Sequence, residues 1–589
     1  MGIRVRQAKR PLIKSARLWV PAGVGALVLV VGGVIAAQAL EAKTELEAAI
    51  PLASTVQKHL ASGDQKAASR AAHKLESHTA RAAAATNGVL WRGLEWVPVA
   101  GPNLAAVRVA SQAVHELAAD AVVPASALSI KQIKPVDGRI NLEALAGMID
   151  TLHDARASVG SSAALLDQLD RSALLGPVAS GIDKLDSSLA KASGMLESVD
   201  GSVRLLPDAL GANGPRNYLM LFQNNAESRG TGGNPAAIVQ LTADDGKISI
   251  TRQSSSGDFE NGRPDPIIPL DPETEALYGN KIGRYVQDIT LTPDFPYTAK
   301  LVQAFWAEEF GTSVDGVISF DPVALSYLLE ATGPVALATG DELTPENAVP
   351  LLLNEIYFRY EDPALQDVFF AAAASSIFDA LTNGAGDTGA LVKQLTRSTE
   401  EGRLIYWSAD EEQSKILAGT RLAGTLPTDN ADATVVGAYI NDITGSKMDY
   451  YLDVVDDVSS TQCKTTRPVF TGTVKLTSTV DPAKRRALPP YIAGLHFRPG
   501  DISTDVVLYG PVGATIDSVQ VNGKKAHIRF SGQHLGRPVV KVNVYNQPRS
   551  VHTISYTMTG ASGTYGPLEV RHTPMVRGTP VTVATPGCK

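Results

Sequence analysis

The chain reads as a multidomain α+β protein: an N-terminal transmembrane helix, a helical stalk or bundle, a central α/β layered domain with a mixed sheet, and a C-terminal β-sandwich. Three observations predict that order. Residues 18–40 carry no charge and are long enough to cross a bilayer as one helix. Residues 41–206 are rich in Ala, Leu, Ser and Lys, with apolar side chains at the alternating three and four spacing of packed helices. After about residue 430 the text turns to alternating Val, Thr, Tyr and Gly broken by turn residues, which is the period of half-buried strands. Residues 207–429, between them, mix strand-length and helix-length apolar segments.

The chain of 589 residues is too long for a single core. A formal charge of −8 excludes nucleic acid as a partner. The charge is uneven: Arg4, Arg6, Lys9, Arg10, Lys14 and Arg17 precede the apolar run, and no acid stands before Glu41. Residues 1–17 therefore read as a cytoplasmic basic tail, the cytoplasmic membrane as the first partner, and everything after residue 40 as extracytoplasmic. A cleaved signal peptide is the alternative, because Ala37-Gln38-Ala39 has the form of a cleavage site. The two cysteines, Cys463 and Cys588, suggest one disulfide in an exported chain, with two independent thiols as the alternative.

In the stalk, Leu142, Leu145, Ile149, Leu152, Val159, Ala163 and Leu166 form one stripe, and Ile182, Leu185, Leu189, Ala192, Leu196, Val199 and Val203 form another. Such stripes make coiled-coil seams. Breaks at Gly63-Asp64, at residues 98–102 and at Lys134-Pro135 divide the region into helices that fold back on one another, with Trp91, Trp96, Val97 and Val99 packing a bundle end.

The central domain is organised around residues 217–258. Residues 218–222 and 236–241 have strand length, and residues 247–251 return as a hairpin turned at Asp244, Asp245 and Gly246. Between the first two strands lies an expected loop holding Asn224, Asn225, Glu227 and Arg229 before Gly230, Gly232 and Gly233. An acceptor, a fixed cation and exposed backbone N–H groups are anion-binding chemistry. The returning strand delivers Arg252. Residues 261–294, with Pro264, Pro266, Pro269 and Pro272, read as a surface loop or lid that brings Lys281, Arg284 and Asp288 near. Residues 295–310 form an amphipathic helix, residues 314–320 a strand, and Asp321-Pro322 caps the next helix.

No Gly-x-Ser-x-Gly, His-Glu-x-x-His, complete Walker A or Cys-x-x-Cys motif is present, and the ten histidines show no metal spacing. What remains is Asn225, Glu227, Arg229, Arg252 and Asp258, extended by Arg284, Asp288 and Asp294. Carboxylates beside arginines hold a divalent cation together with a diphosphate. An internal ion-pair network that braces a loop uses the same residues.

Five blocks carry a resemblance: WRGLEWVPVAGPNLAAVR, NYLMLFQNNAESRGTGG, LTPDFPYTAKLVQAFW, VDGVISFDPVALSYLLEATGPV and SKMDYYLD. Through them the chain resembles the domain of unknown function 4012 family of actinobacterial membrane-anchored exported proteins. It is more distantly similar to the LytR-CpsA-Psr phosphotransferases, which attach cell-wall glycopolymers from polyprenyl diphosphate carriers. That similarity places their Asp-x-Arg pair at Glu227-Ser228-Arg229 and their second arginine at Arg252, where Gln253 stands in place of the following Asp. It implies an envelope protein that binds a polyprenyl-phosphate-linked glycopolymer through Arg229 and Arg252. Asn224, Asn225, Gly232, Gly233, Arg284 and Asp288 would assist, and Glu227 and Asp258 would hold Mg²⁺ if the protein is a transferase. The alternative is a noncatalytic scaffold in which stalk and sandwich bind envelope protein partners.

Overall fold

The computed structural model describes residues 16–61, 64–128 and 130–588. The basic tail lies, as far as residue 15, outside the described residues, as does Gly63 of the first expected break. The chain divides into two compact units, residues 1–132 with 143–204 and residues 133–142 with 205–589.

The first unit is helical: α1 (Ala16–Ala61), α2 (Gln65–Thr86), α3 (Ala100–Glu116), α4 (Leu142–Asp167) and α5 (Gly176–Arg204). Helix α1 runs 46 residues without interruption, so the apolar segment 18–40 continues directly into the stalk. Asp64 starts α2 by accepting from the Ala67 N–H at 3.0 Å. Small residues bring these helices close: Ala49 of α1 meets Leu75 of α2 and Ala118, and Val56 meets Ala71 and Ala72. The two predicted stripes do meet, with Val159 and Leu166 of α4 packed on Ile182 and Leu189 of α5. At the 89–101 turn only Trp91 packs inward, its Nε1 donating to the Leu104 carbonyl at 2.9 Å. Trp96 and Val99 are 80% and 70% exposed. The turn explains this correction: Val99 has φ +67°, and a Cβ on Gly101 would come within 2.0 Å of the Glu95 carbonyl oxygen, so the chain doubles back tightly and leaves those side chains outside.

The second unit is built on a sheet of β1 (Arg216–Arg229), β2 (Gly232–Asp244), β3 (Lys247–Ser255), β4 (Gly316–Phe320) and β5 (Ile405–Ser408) in the order β3-β2-β1-β4-β5. It is mixed: β1 and β4 are parallel and the other pairs antiparallel. The helices of this layer are α6 (Phe295–Phe310), α7 (Pro322–Thr332), α8 (Pro363–Thr382) and α9 (Thr388–Glu400). The Asp321 side chain caps α7 on the Ala324 N–H at 2.7 Å. By length and composition α8 is apolar enough to cross a membrane. It turns Phe369, Ala373 and Ile377 into the core, and Gln253 of β3 donates to its Ser375 hydroxyl at 3.1 Å.

Residues 261–294 are not the expected surface loop. They contain a helix, Pro272–Tyr278, started by Asp271 with proline at its first turn, and Leu277, Ile282, Val286 and Ile289 are fully buried. The prolines shape turns between short buried segments.

Two further sheets complete the unit. Strands β6 (Thr434–Asp442), β7 (Leu452–Ser460), β8 (Val469–Ser478), β9 (Ile502–Tyr509), β10 (Thr515–Val521), β11 (Lys524–Lys525), β12 (Ile528–His534), β13 (Arg537–Asn546), β14 (Val551–Thr559), β15 (Leu568–His572) and β16 (Val581–Ala584) form the orders β11-β10-β14-β8-β7-β16 and β12-β13-β9-β6-β15. Val506 and Leu508 of β9 share a core with Val474 and Leu476 of β8, whereas Val507 and Tyr509 join Phe295, Val302 and Leu219 of the α/β layer. The central strands of the second sheet, β9 and β6, are thus buried on both faces. Residues 205–589 therefore fold as one unit across the composition change near residue 430. Double burial also explains why β6 shows no alternation: all nine of its residues are buried. Cys463 and Cys588 are bonded across a separation of 125 residues and fasten the end of the chain.

Asp456, on β7 beside β16, is buried with neither carboxylate oxygen hydrogen-bonded among the described residues. Burial, then the charge of Asp457, pushes its pKa up to about 7. The unfolded chain releases that proton near pH 4 and the folded protein near 7, so stability falls as pH rises through this window and stays low above it. Asp456→Asn is expected to gain about 2–4 kcal/mol at pH 8 and nothing at pH 4, measured by urea unfolding.

Candidate functional site

The polar end of β1 is strand, not loop. Register passes from Asn224↔Asn234 to Ser228↔Gly233, so residues 225–227 bulge from the ladder and only residues 230–231 turn. Gln223, Asn224, Asn225, Ser228 and Arg229 are all buried. Each finds a partner inside the protein, as buried polar groups must. The Gln223 Oε1 accepts the Gly233 N–H at 2.6 Å, Asn224 donates to the Tyr357 hydroxyl at 2.8 Å, and Asn225 donates to Asp321 at 2.9 Å and to the Pro574 carbonyl at 2.8 Å. The Ser228 N–H donates to Asp449 at 3.2 Å. Gly233 serves close approach, since a Cβ there would stand 2.1 Å from the Asn224 carbonyl oxygen.

Arg229 is the centre of a closed ion-pair network. It reaches Glu227 Oε1 at 3.1 Å and Asp288 Oδ1 at 3.3 Å, and donates to the Ser228 carbonyl at 3.0 Å. Glu227 Oε2 accepts from Asn234 at 3.1 Å and from Lys447 at 3.3 Å. Burial works against the charge of Glu227, but Lys447 and Arg229 outweigh it and hold the carboxyl below its usual range. For Lys447, burial is outweighed by Tyr357 and Glu227, which hold the ammonium above its usual range. Burial and the neighbouring Asp442 push Asp449 well above the ordinary carboxylate.

The other expected site residues lie apart from this network. Arg252 is exposed on β3 and sits 4.5 Å over the Phe310 ring, and among the described residues no contact joins it to Arg229. Arg284 donates to the Arg263 and Gly262 carbonyls. Asp258 closes a capping box, its Oδ2 accepting from the Ser254 hydroxyl at 2.9 Å and the Ser255 N–H at 2.7 Å. Asp294, pushed up to about 6 by burial, starts α6. Glu227 and Asp258 do not fit the expected Mg²⁺: three donors already occupy Glu227, and no group of three or more His, Cys, Asp or Glu suited to a metal occurs among the described residues.

Glu227 and Asp258 do share an open cleft of about 800 Å³. Glu227 and Lys447 form its charged end, where the Lys447 ammonium lies 5.1 and 4.9 Å from the rings of Tyr357 and Tyr491, themselves stacked at 5.5 Å. Asp258 and Asp367 face it from the rim, and burial together with Asp258 pushes Asp367 up. Ala236, Ala237, Phe370 and Ala374 make an apolar wall, and the same four line a smaller apolar pocket of about 70 Å³ toward Leu325 and Ile377.

Residues 213–357 match the family model described as Protein of unknown function (DUF4012). No curated protein and no solved structure matches the chain. The DUF4012 span covers β1 to β4, α6, α7 and Tyr357, one side of the cleft. Lys447, Asp449, Asp367 and Tyr491 lie beyond it. Sequence reasoning missed these four. The SKMDYYLD block contains Lys447 and Asp449, but nothing in its spacing ties it to Glu227, 220 residues earlier.

Proposed function

We propose that this protein is a membrane-anchored, extracytoplasmic envelope protein that binds the glycan of a cell-wall glycopolymer in the cleft and does not transfer it. The observation that carries this reading is the lining of the 800 Å³ cleft, which pairs a half-exposed tyrosine, Tyr491, with the acidic rim of Asp258 and Asp367 and an apolar wall. An aromatic face stacks on the C–H face of a sugar, and carboxylates accept its hydroxyls. With Glu227, Asp258 and Asp367 against Lys447, the lining suits a neutral sugar better than a diphosphate. The apolar wall and the pocket behind it supply room for a lipid or acyl substituent. The closed pairs around Arg229 favour the noncatalytic of the two readings of those residues, a brace that holds the bulge of β1. The β-sandwich assignment of the last two sheets and the anchor in α1 belong to the same proposal; the uninterrupted helix through residues 18–40 supports the latter.

The test is calorimetric titration of the full-length protein in detergent micelles with neutral cell-wall oligosaccharides, comparing Tyr491→Ala and Asp367→Asn with wild type. The expected result is saturable binding weakened at least about tenfold in both variants, as the loss of ~1.4 kcal/mol or more requires, with unchanged melting temperatures. Absence of binding by folded wild-type protein would sink the assignment.

A further inference from the structure

We infer that a second cavity, sharing no lining residue with the cleft, is a binding site for an oxyanion carried on a small organic body. It encloses about 610 Å³. Three separate segments bring arginines to it: the end of α9 and the turn after it supply Arg397 and Arg403, the short 3₁₀ turn Arg421–Ala423 supplies Arg421, and β15 supplies Arg571.

Two of the four are already paired. Arg403 is held by Asp321 at 2.9 Å, Glu401 at 2.7 Å and the Met575 carbonyl at 3.0 Å. Arg397 pairs with Glu401 at 3.1 Å and lies 3.5 Å over the Tyr327 ring. The other two share one carboxylate oxygen: Arg571 approaches Glu569 Oε2 at 3.4 Å and Arg421 approaches it at 3.9 Å. Arg571 also donates to the Thr425 carbonyl. Arg421 makes no side-chain hydrogen bond among the described residues, and its side chain remains 36% exposed. The Glu569 carboxylate thus has two guanidinium groups converging on it, and Glu400 is a further carboxylate in the lining that acts on Arg421. Arg421 stands in a cavity whose other walls include Tyr439, Ile405 and Val570. Burial, then the charge of Arg571, hold the Arg421 pKa below its usual value against the opposing pull of Glu569 and Glu400.

A planar or tetrahedral oxyanion placed between Arg421 and Arg571 would complete this arrangement, because a guanidinium presents paired donors to either shape. The apolar walls, to which Val581 and Val583 of β16 contribute, fit the body that carries it. A sugar acid and a sugar phosphate share this chemistry.

The experiment is titration of the full-length protein in micelles with glucuronate, glucose 1-phosphate, inorganic phosphate and, as the neutral control, glucose. The expected result is saturable binding of glucuronate, glucose 1-phosphate or both, weakening as salt is added, and none of glucose. A preference between the two names the source, and binding of inorganic phosphate alone would overturn the inference of an organic body. Arg421→Met is expected to weaken binding at least tenfold without moving the melting temperature, since this side chain makes no hydrogen bond among the described residues and its pair with Glu569 is long, at 3.9 Å. Glu569→Gln is expected to tighten binding several-fold by releasing the competing charge, a direction that a merely structural carboxylate would not produce. No binding of any oxyanion by folded wild type, equal binding of glucose, or an unaltered affinity in Arg421→Met would each overturn the site.

Discussion

Replacing Arg229 with methionine is expected to cost the folded protein about 3–5 kcal/mol, the range for removing one partner of a buried ion pair. The guanidinium is only 6% exposed, and its two carboxylate partners, Glu227 and Asp288, are 14% and 15% exposed. Without Arg229, Asp288 keeps only the Lys281 ammonium at 3.8 Å, and Glu227 keeps Lys447 and Asn234. Urea unfolding at neutral pH measures the loss. A paired change, Arg229→Met with Asp288→Asn, should recover part of it, because the second substitution removes the carboxylate that the first left with one long pair, to Lys281. A ligand-contacting arginine predicts the reverse pattern: stability near wild type and a defect only in binding. Full stability of Arg229→Met would therefore reopen Arg229 as a binding residue.

Asp321→Ala is expected to be about as damaging, about 3–5 kcal/mol, because one carboxylate serves three elements. Its Oδ1 caps α7 at the Ala324 N–H, and its Oδ2 accepts both Asn225 of the β1 bulge and Arg403, each at 2.9 Å. Loss of the cap alone accounts for about 1 kcal/mol. The remainder comes from leaving Arg403, 3% exposed, with Glu401 as its one acidic partner. Asp321→Asn should fall between the two, since an amide oxygen still caps the helix while the charge is gone. Thermal unfolding of the three proteins gives the order directly; an Asn variant as unstable as the Ala variant would mean that the charge, and not the cap, carries the whole effect.

Much of the secondary structure was legible because its causes are local. The first part of β1, the middle of β2, the hairpin at Asp244, Asp245 and Gly246, the amphipathic helix α6 and the Asp321-Pro322 start of α7 depend on side chains a few residues apart. The stripes of α4 and α5 meet as their spacing requires. The pairing of Cys463 with Cys588 was legible for another reason: a chain with two cysteines offers one bridge.

Elsewhere the same local rules led away from the structure. Polar residues and glycines at 223–233 signal a loop to any reading that expects strands to be apolar, yet the segment is strand and turn. Asn225 can be buried only because Asp321 and Pro574 arrive from 96 and 349 residues away, and Glu227 because Lys447 arrives from 220. Strand β6 gave no alternating pattern because the α/β layer covers the face that solvent would otherwise meet. By itself the sequence determined which segments repeat and where helices start, both within reach of nearest neighbours along the chain, and it offered one possible bridge for two cysteines. Only the tertiary structure decided which polar groups meet, and with them the cleft and the arginine cavity, because a buried charge is stable only where a distant segment supplies its partner.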